Sequence, residues 1–305
     1  PEIVMIGVQN TFASIPISGR IIYLIAGNAW VMEGSTGNRR PVITTGDLDG
    51  RIFSMSPDGE WLLFTRKNLN VSPGGQINSL WVQNVLNPQA KPIDLKTPNV
   101  IHYASWIPNT PYTIAYSTVE PRETAPGWQA NNDLLTVSFS SAGYISRRNE
   151  IVPTNSGGIY GWWGCVYDWS PDGKKIAFAR PDSIGLVNEK DNSLSQIINI
   201  PAYQTHGDWA WIPGISWSPD SQILYSAIHT SSAELTSAEE SPNFDLSASL
   251  ITQGTNYSLA PKAGMFSYPV TSPQLSGGSY FVAYLQAVFP EQSDNSRYRL
   301  MIMDQ

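Results

Sequence analysis

The chain is expected to be all-β, a single six-bladed β-propeller of four-stranded antiparallel blades. Three observations lead there. A proline turn recurs six times at Pro16, Pro57, Pro108, Pro171, Pro219 and Pro273, at spacings of 41, 51, 63, 48 and 54 residues. Self-similarity near 40–50 residues is the signature of propeller blades. Each turn is followed by a short run of β-branched and aromatic residues, and the gaps are filled by Gly, Pro, Asp and Asn, the chemistry of strands and turns. No segment shows the 3.6-residue apolar spacing of an amphipathic helix.

Taken in order, the first unit (residues 9–46) has the weakest turn, Ile15-Pro16-Ile17-Ser18-Gly19, before a strand at 21–24. The second (47–97) carries Ser56-Pro57-Asp58-Gly59, and the third (98–153) the degenerate Ile107-Pro108-Asn109 before a strand at 113–116. The fourth (164–200) is the best formed, with strands at 166–169, 176–180, 184–187 and 195–200 around Ser170-Pro171-Asp172-Gly173. The fifth (214–260) has Ser218-Pro219-Asp220-Ser221. The sixth (265–305) has Ser272-Pro273-Gln274 between strands at 266–271 and 280–285, and a third strand at 299–303. It lacks a fourth, and the strand-like residues 3–8 are expected to supply it, so that the two ends share a sheet and no blade edge stays open.

The turns have a mechanism. Pro sets φ near −65° at the second position, Asp accepts local backbone N–H groups, and Gly tolerates positive φ. Asp58, Asp172 and Asp220 are therefore read as turn residues rather than catalytic carboxylates, because a residue that recurs at the same turn position in three units serves the repeat.

Trp169-Ser170-Pro171-Asp172-Gly173-Lys174-Lys175-Ile176-Ala177-Phe178 resembles the TolB-type, WD40-like (PD40) propeller repeat, whose hallmark is Trp-Ser-Pro-Asp-Gly followed by an apolar strand. Trp217-Ser218-Pro219-Asp220 and the stretch from Met55 to Phe64 are similar to it. The other three units depart from the pattern. The resemblance implies the fold; relatives with this repeat include the periplasmic TolB partner protein, the propeller half of prolyl-oligopeptidase-like enzymes and oligogalacturonate lyases, so it leaves function open.

Composition narrows the choice. Hydrophobic residues make up 41% of the 305, charged residues only 14%, and the net charge is −7. That balance suits a periplasmic or extracellular protein of the bacterial envelope. No cluster of basic residues exceeds a pair such as Arg39-Arg40, Arg147-Arg148 or Lys174-Lys175, so nucleic acid is not an expected partner. No run approaches the roughly 20 apolar residues of a membrane span, and no leader pattern is visible. The start at Pro1 without Met suggests an excised piece, compatible with removal of a leader, an anchor or a further domain. The one cysteine, Cys165, is expected to be a buried inert thiol.

Function is expected on one face. Strand alternation puts the tight proline turns on one side and the connections at 119–132, 154–164, 201–214 and 229–243 on the other. Connections this long and without regular structure are commonly functional. They carry Trp128, Tyr160, Trp162, Trp163, Tyr203, His206, Asp208, Trp209 and Trp211, rings suited to stacking on a sugar or anchoring a peptide. The competing reading folds the rings inward as a plug. The 229–243 segment, with Glu234, Glu239 and Glu240, reads as a solvated loop.

No nucleophile elbow, His-Glu-x-x-His or phosphate-cradling glycine loop is present, and no cofactor or metal is expected. The expected function is thus a non-catalytic scaffold that engages a protein, peptide or glycan. Two alternatives stand beside it: a polysaccharide lyase or hydrolase, if His102, His206 and His229 converge on a metal, or one module of a longer protein.

Overall fold

The computed structural model describes residues 19–69, 75–87, 89–188, 190–232 and 237–305. The chain is all-β and forms six antiparallel sheets in sequence order, the blades of a six-bladed β-propeller, plus one small two-stranded ribbon. The described residues fall into two compact units, 19–156 and 157–305, with three blades each.

In the unit 19–156, the first blade is β1 (Arg20–Ile25), β2 (Asn28–Glu33) and β3 (Arg39–Ile43). Ala26 and Gly27, both at positive φ, make the tight β1–β2 hairpin turn. Gly27 is also needed for space, since a Cβ there would lie 2.4 Å from the Gly46 carbonyl oxygen. The second blade is β4 (Leu48–Met55), β5 (Trp61–Lys67), β6 (Asn78–Asn84) and β7 (Ile93–Pro98). The third is β8 (Ala104–Trp106), β9 (Thr113–Tyr116), β12 (Leu134–Phe139) and β13 (Ile145–Val152), and it is interrupted by the ribbon β10 (Val119–Pro121) and β11 (Trp128–Ala130). The 119–132 connection is therefore not irregular, as expected above: Val119 to Pro121 pair with Ala130 to Trp128.

The first five residues of β5, Trp61 to Thr65, are buried without alternation, because a blade in the middle of the stack is covered on both faces. Leu63, Leu80, Val82, Trp106, Ile114 and Phe139 belong to one apolar cluster that joins blades two and three. Fully burying side chains of this size contributes about 1.5–3 kcal/mol each.

In the unit 157–305, the fourth blade is β14 (Val166–Trp169), β15 (Ile176–Arg180), β16 (Ser183–Val187) and β17 (Leu194–Asn199). The fifth is β18 (Ile215–Trp217), β19 (Ile223–Thr230), β20 (Asn243–Leu250) and β21 (Thr255–Ala260). The sixth is β22 (Val270–Thr271), β23 (Phe281–Ala287) and β24 (Tyr298–Asp304). Two expectations change here. His229 and Asn243 are strand residues, because β19 and β20 stay paired out to Thr230 opposite Asn243; the connection between them includes a 3-10 turn at Ala238–Glu240. The first strand of the last blade shrinks from 266–271 to Val270–Thr271, since Gly264 and Tyr268 adopt positive φ. The expected fourth strand of that blade, residues 3–8, lies outside the described residues, as does the turn at Pro16.

The three Ser-Pro-Asp turns share one wiring. Ser56 Oγ accepts the Trp61 N–H at 2.9 Å while Asp58 accepts the Glu60 N–H at 2.9 Å. Ser170 and Asp172 do the same for Lys175 and Lys174, and Ser218 and Asp220 for Ile223 and Gln222. In each turn the serine hydroxyl also donates to the aspartate. Those bonds, the one from Ser170 foremost, hold the Asp172 carboxyl below its ordinary range.

The first strands of neighbouring blades are joined by a second repeated contact. Trp217 Nε1 donates to the Asp168 carbonyl at 3.1 Å. At the equivalent position in the other unit, Trp106 Nε1 donates to the Ser54 carbonyl at 3.4 Å. Thr271 Oγ1 continues the series by donating to the Trp217 carbonyl at 2.6 Å.

Candidate binding groove

The first strands of blades four, five and six, β14, β18 and β22, adjoin one another. Over their starting ends opens a cavity of about 520 Å³, lined among others by Val166, Trp209, Trp211, Ile212, Phe266 and Tyr268. Its walls are the connections 201–214 and 261–269. Trp209 is 41% exposed and Tyr268 50%, two large rings left open to solvent. Phe266 stacks on Tyr268, with centroids 5.9 Å apart at 26°, and Gly214 leaves the room Tyr268 occupies, since a Cβ there would meet its ring at 2.9 Å.

Trp211 differs from Trp209. It is 2% exposed, its Nε1 donates to the Met265 carbonyl at 2.8 Å, and its ring meets Phe244 edge-on at 4.8 Å. It ties one wall of the groove to the other. Between the two tryptophans and the strand, Thr205 Oγ1 donates to the Trp209 and Gly207 carbonyls. That local turn presents His206 and Asp208 to solvent beside Trp209. Tyr203 is half-buried and packs edge-on against His229 and Phe244.

The remaining aromatics lie elsewhere. Tyr160, Trp162 and Trp163 are half-buried in consecutive turns, closed by Gly161 N–H to Gly158 O and Trp163 N–H to Tyr160 O. Trp128, in the unit 19–156, lies on the ribbon with its ring 5.1 Å from His102. Both ring nitrogens of His102 are buried without a hydrogen-bond partner among the described residues. Burial, helped by the charge of Arg51, pushes this imidazole down to about 4. The sign follows: the unfolded chain takes up a proton near the ordinary histidine value of about 6.5 and the folded chain resists it until about 4. Stability present above pH 6.5 is thus lost as pH falls towards 4, on the order of a few kcal/mol. Chemical denaturation across this window is expected to show that decline and to show a smaller one for His102→Phe.

His229 is fully buried in β19, with Nδ1 2.6 Å from the Pro201 carbonyl oxygen and Nε2 2.7 Å from that of Ser241. His206 is exposed. Among the described residues no three His, Cys, Asp or Glu side chains are grouped to hold a metal ion, and no helix is long and apolar enough to cross a membrane. Cys165 is buried, and its burial pushes the thiol up to about 11, far from a reactive thiolate.

Three residues escaped the sequence reading. Phe266 and Tyr268 passed for strand residues, although Gly264 and the neighbouring Pro269 were cues to an irregular path. Asp168 was visible as a carboxylate inside an apolar strand. It lies two residues beyond Val166 on the same face of β14, and burial pushes its carboxyl up to about 7 against the backbone N–H groups of Trp217 and Trp169.

The chain matches no family model and no curated protein sequence. Among solved structures it is similar to an oligogalacturonate lyase in complex with manganese, at 12% identity and a TM-score of 0.60, covering 93% of this chain and 73% of that one. It is similar to a puromycin hydrolase at 12% identity and a TM-score of 0.54, with 92% of this chain against 40% of that one. A prolyl endopeptidase aligns at 14% identity and a TM-score of 0.51, again over 40% of its length. At these identities the likeness defines the class, a six-bladed β-propeller, and nothing finer. The chain spans well under half of the two hydrolytic relatives.

Proposed function

We propose that this is a non-catalytic binding propeller of the cell envelope, TolB-like in its repeat, whose groove takes a neutral glycan. The observation that carries the reading is the pair of exposed rings, Trp209 and Tyr268, flanking an apolar cavity of about 520 Å³. That volume falls in the range of small-ligand clefts. Flat rings stack on the apolar face of a pyranose, and His206 and Asp208 beside Trp209 offer polar groups to its hydroxyls. A net charge of −7 works against a polyanionic sugar.

The test is calorimetric titration with neutral oligosaccharides, alongside the double variant Trp209→Ala/Tyr268→Ala. The expected result is binding by the wild type and a loss of about tenfold or more per ring in the variant, with an unchanged melting temperature because both rings are solvent-exposed. Binding of a proline-rich peptide in place of sugar would move the reading to a peptide dock. Release of shortened sugars would overturn the non-catalytic part and point to Asp168, whose near-neutral carboxyl suits acid–base work.

A further inference from the structure

We infer that His229 is held as an imidazolium, a buried cation whose two N–H groups fasten together the two connections packed behind the groove. A neutral imidazole has one donor and one bare acceptor nitrogen. Carbonyl oxygens only accept. Nδ1 at 2.6 Å from Pro201 O and Nε2 at 2.7 Å from Ser241 O therefore call for two N–H donors. Either neutral tautomer would press a lone pair against a carbonyl in a fully buried site, the arrangement proteins avoid.

The surroundings are suited to a cation. Phe244 stacks on the imidazole with centroids 4.8 Å apart at 30°. Tyr203 meets it at 5.3 Å and Trp211 at 6.4 Å, both edge-to-face. Aromatic quadrupoles and two charge-assisted hydrogen bonds compensate a charge withdrawn from water. On the packed elements, the titratable side chain in ring contact is Tyr203. Asp245 of β20 is turned to the Lys262 N–H and Ser258, while Glu239 and Glu240 of the 3-10 turn are exposed.

The consequence is positional. Pro201 opens the 201–214 connection and Ser241 closes the one before β20, so the two ring N–H groups bridge them alongside the Gln204 N–H bond to the Glu239 carbonyl at 2.9 Å. Trp211 touches His229 and also lines the groove. His229 is thus a positioning residue for that wall, whatever the groove binds.

Histidine-selective ¹⁵N NMR of the whole chain at neutral pH tests this, with His229→Phe used for assignment. Two protonated ring nitrogens bearing slowly exchanging protons are expected for His229, and a single bare ring nitrogen would overturn the inference. If His229→Phe does not fold, the His229 signals are assigned by elimination with His102→Phe and His206→Ala, and the same outcomes decide.

Discussion

Phe244→Ala is expected to lower stability by about 3–5 kcal/mol, the cost of emptying a fully buried aromatic site. Phe244 is 1% exposed and is the shared neighbour of Tyr203, Trp211 and His229, at 5.2, 4.8 and 4.8 Å. Tyr203 and Trp211 come from the 201–214 connection and His229 from β19. The hole left by the ring cannot close easily, because Trp211 is fixed by its bond to Met265 and His229 by its two carbonyls. Urea denaturation should show the midpoint falling at constant slope, and the same variant should bind groove ligands more weakly. Phe244→Leu, which keeps most of the volume, is expected to lose less than half as much. A stability unchanged by Phe244→Ala would mean that the connections are held by something other than this aromatic box.

Gly185→Ala is the second large effect, and its origin is overfilling. Gly185 lies in β16, in the middle of the fourth blade, where a Cβ would stand 2.1 Å from the Ser195 carbonyl oxygen and 2.6 Å from Phe178 Cε1. Neither neighbour can retreat. Ser195 belongs to β17, paired to β16 across a register shift beside Gly185, and Phe178 is 2% exposed in β15. Overpacking costs typically about 1–3 kcal/mol and more where backbone must move, so the upper end is expected here. Melting temperature reports it directly. A variant within a degree or two of wild type would show that the outer strand of this blade slides freely.

Much of the architecture was legible because the repeat is written in local chemistry. Ser, Pro, Asp and Gly at fixed offsets specify a turn whose hydrogen bonds are closed within six residues, so no tertiary knowledge is needed to read it. The strand at 113–116 and that at 176–180 coincide with β9 and β15 for the same reason. The groove was legible in half. Trp209 stood out as a loop ring beside Asp208. Tyr268 did not, because its position rests on a positive φ of 39° and on space provided by Gly214, a contact 54 residues away in sequence. Nor could composition tell Trp209 from Trp211: both sit in the same connection, and only the carbonyl of Met265, supplied by another blade, draws one inward. His229 was misplaced because the turn-forming residues around 230–232 mask how far β19 runs. Non-local partners decided each of these cases.

The tryptophan links between neighbouring blades have an evolutionary consequence. Trp106 and Trp217 each grip a main-chain carbonyl, that of Ser54 in one case and of Asp168 in the other. The bond needs only the carbonyl, whichever residue supplies it; at Asp168 the carboxyl adds a second link by accepting the Trp217 backbone N–H. A copied blade can therefore change the side chain at that position and keep the tryptophan's bond. One such position has come to hold a half-buried acid while the other holds a hydroxyl, so the tryptophan bond leaves that position free to acquire new chemistry without renegotiating the assembly.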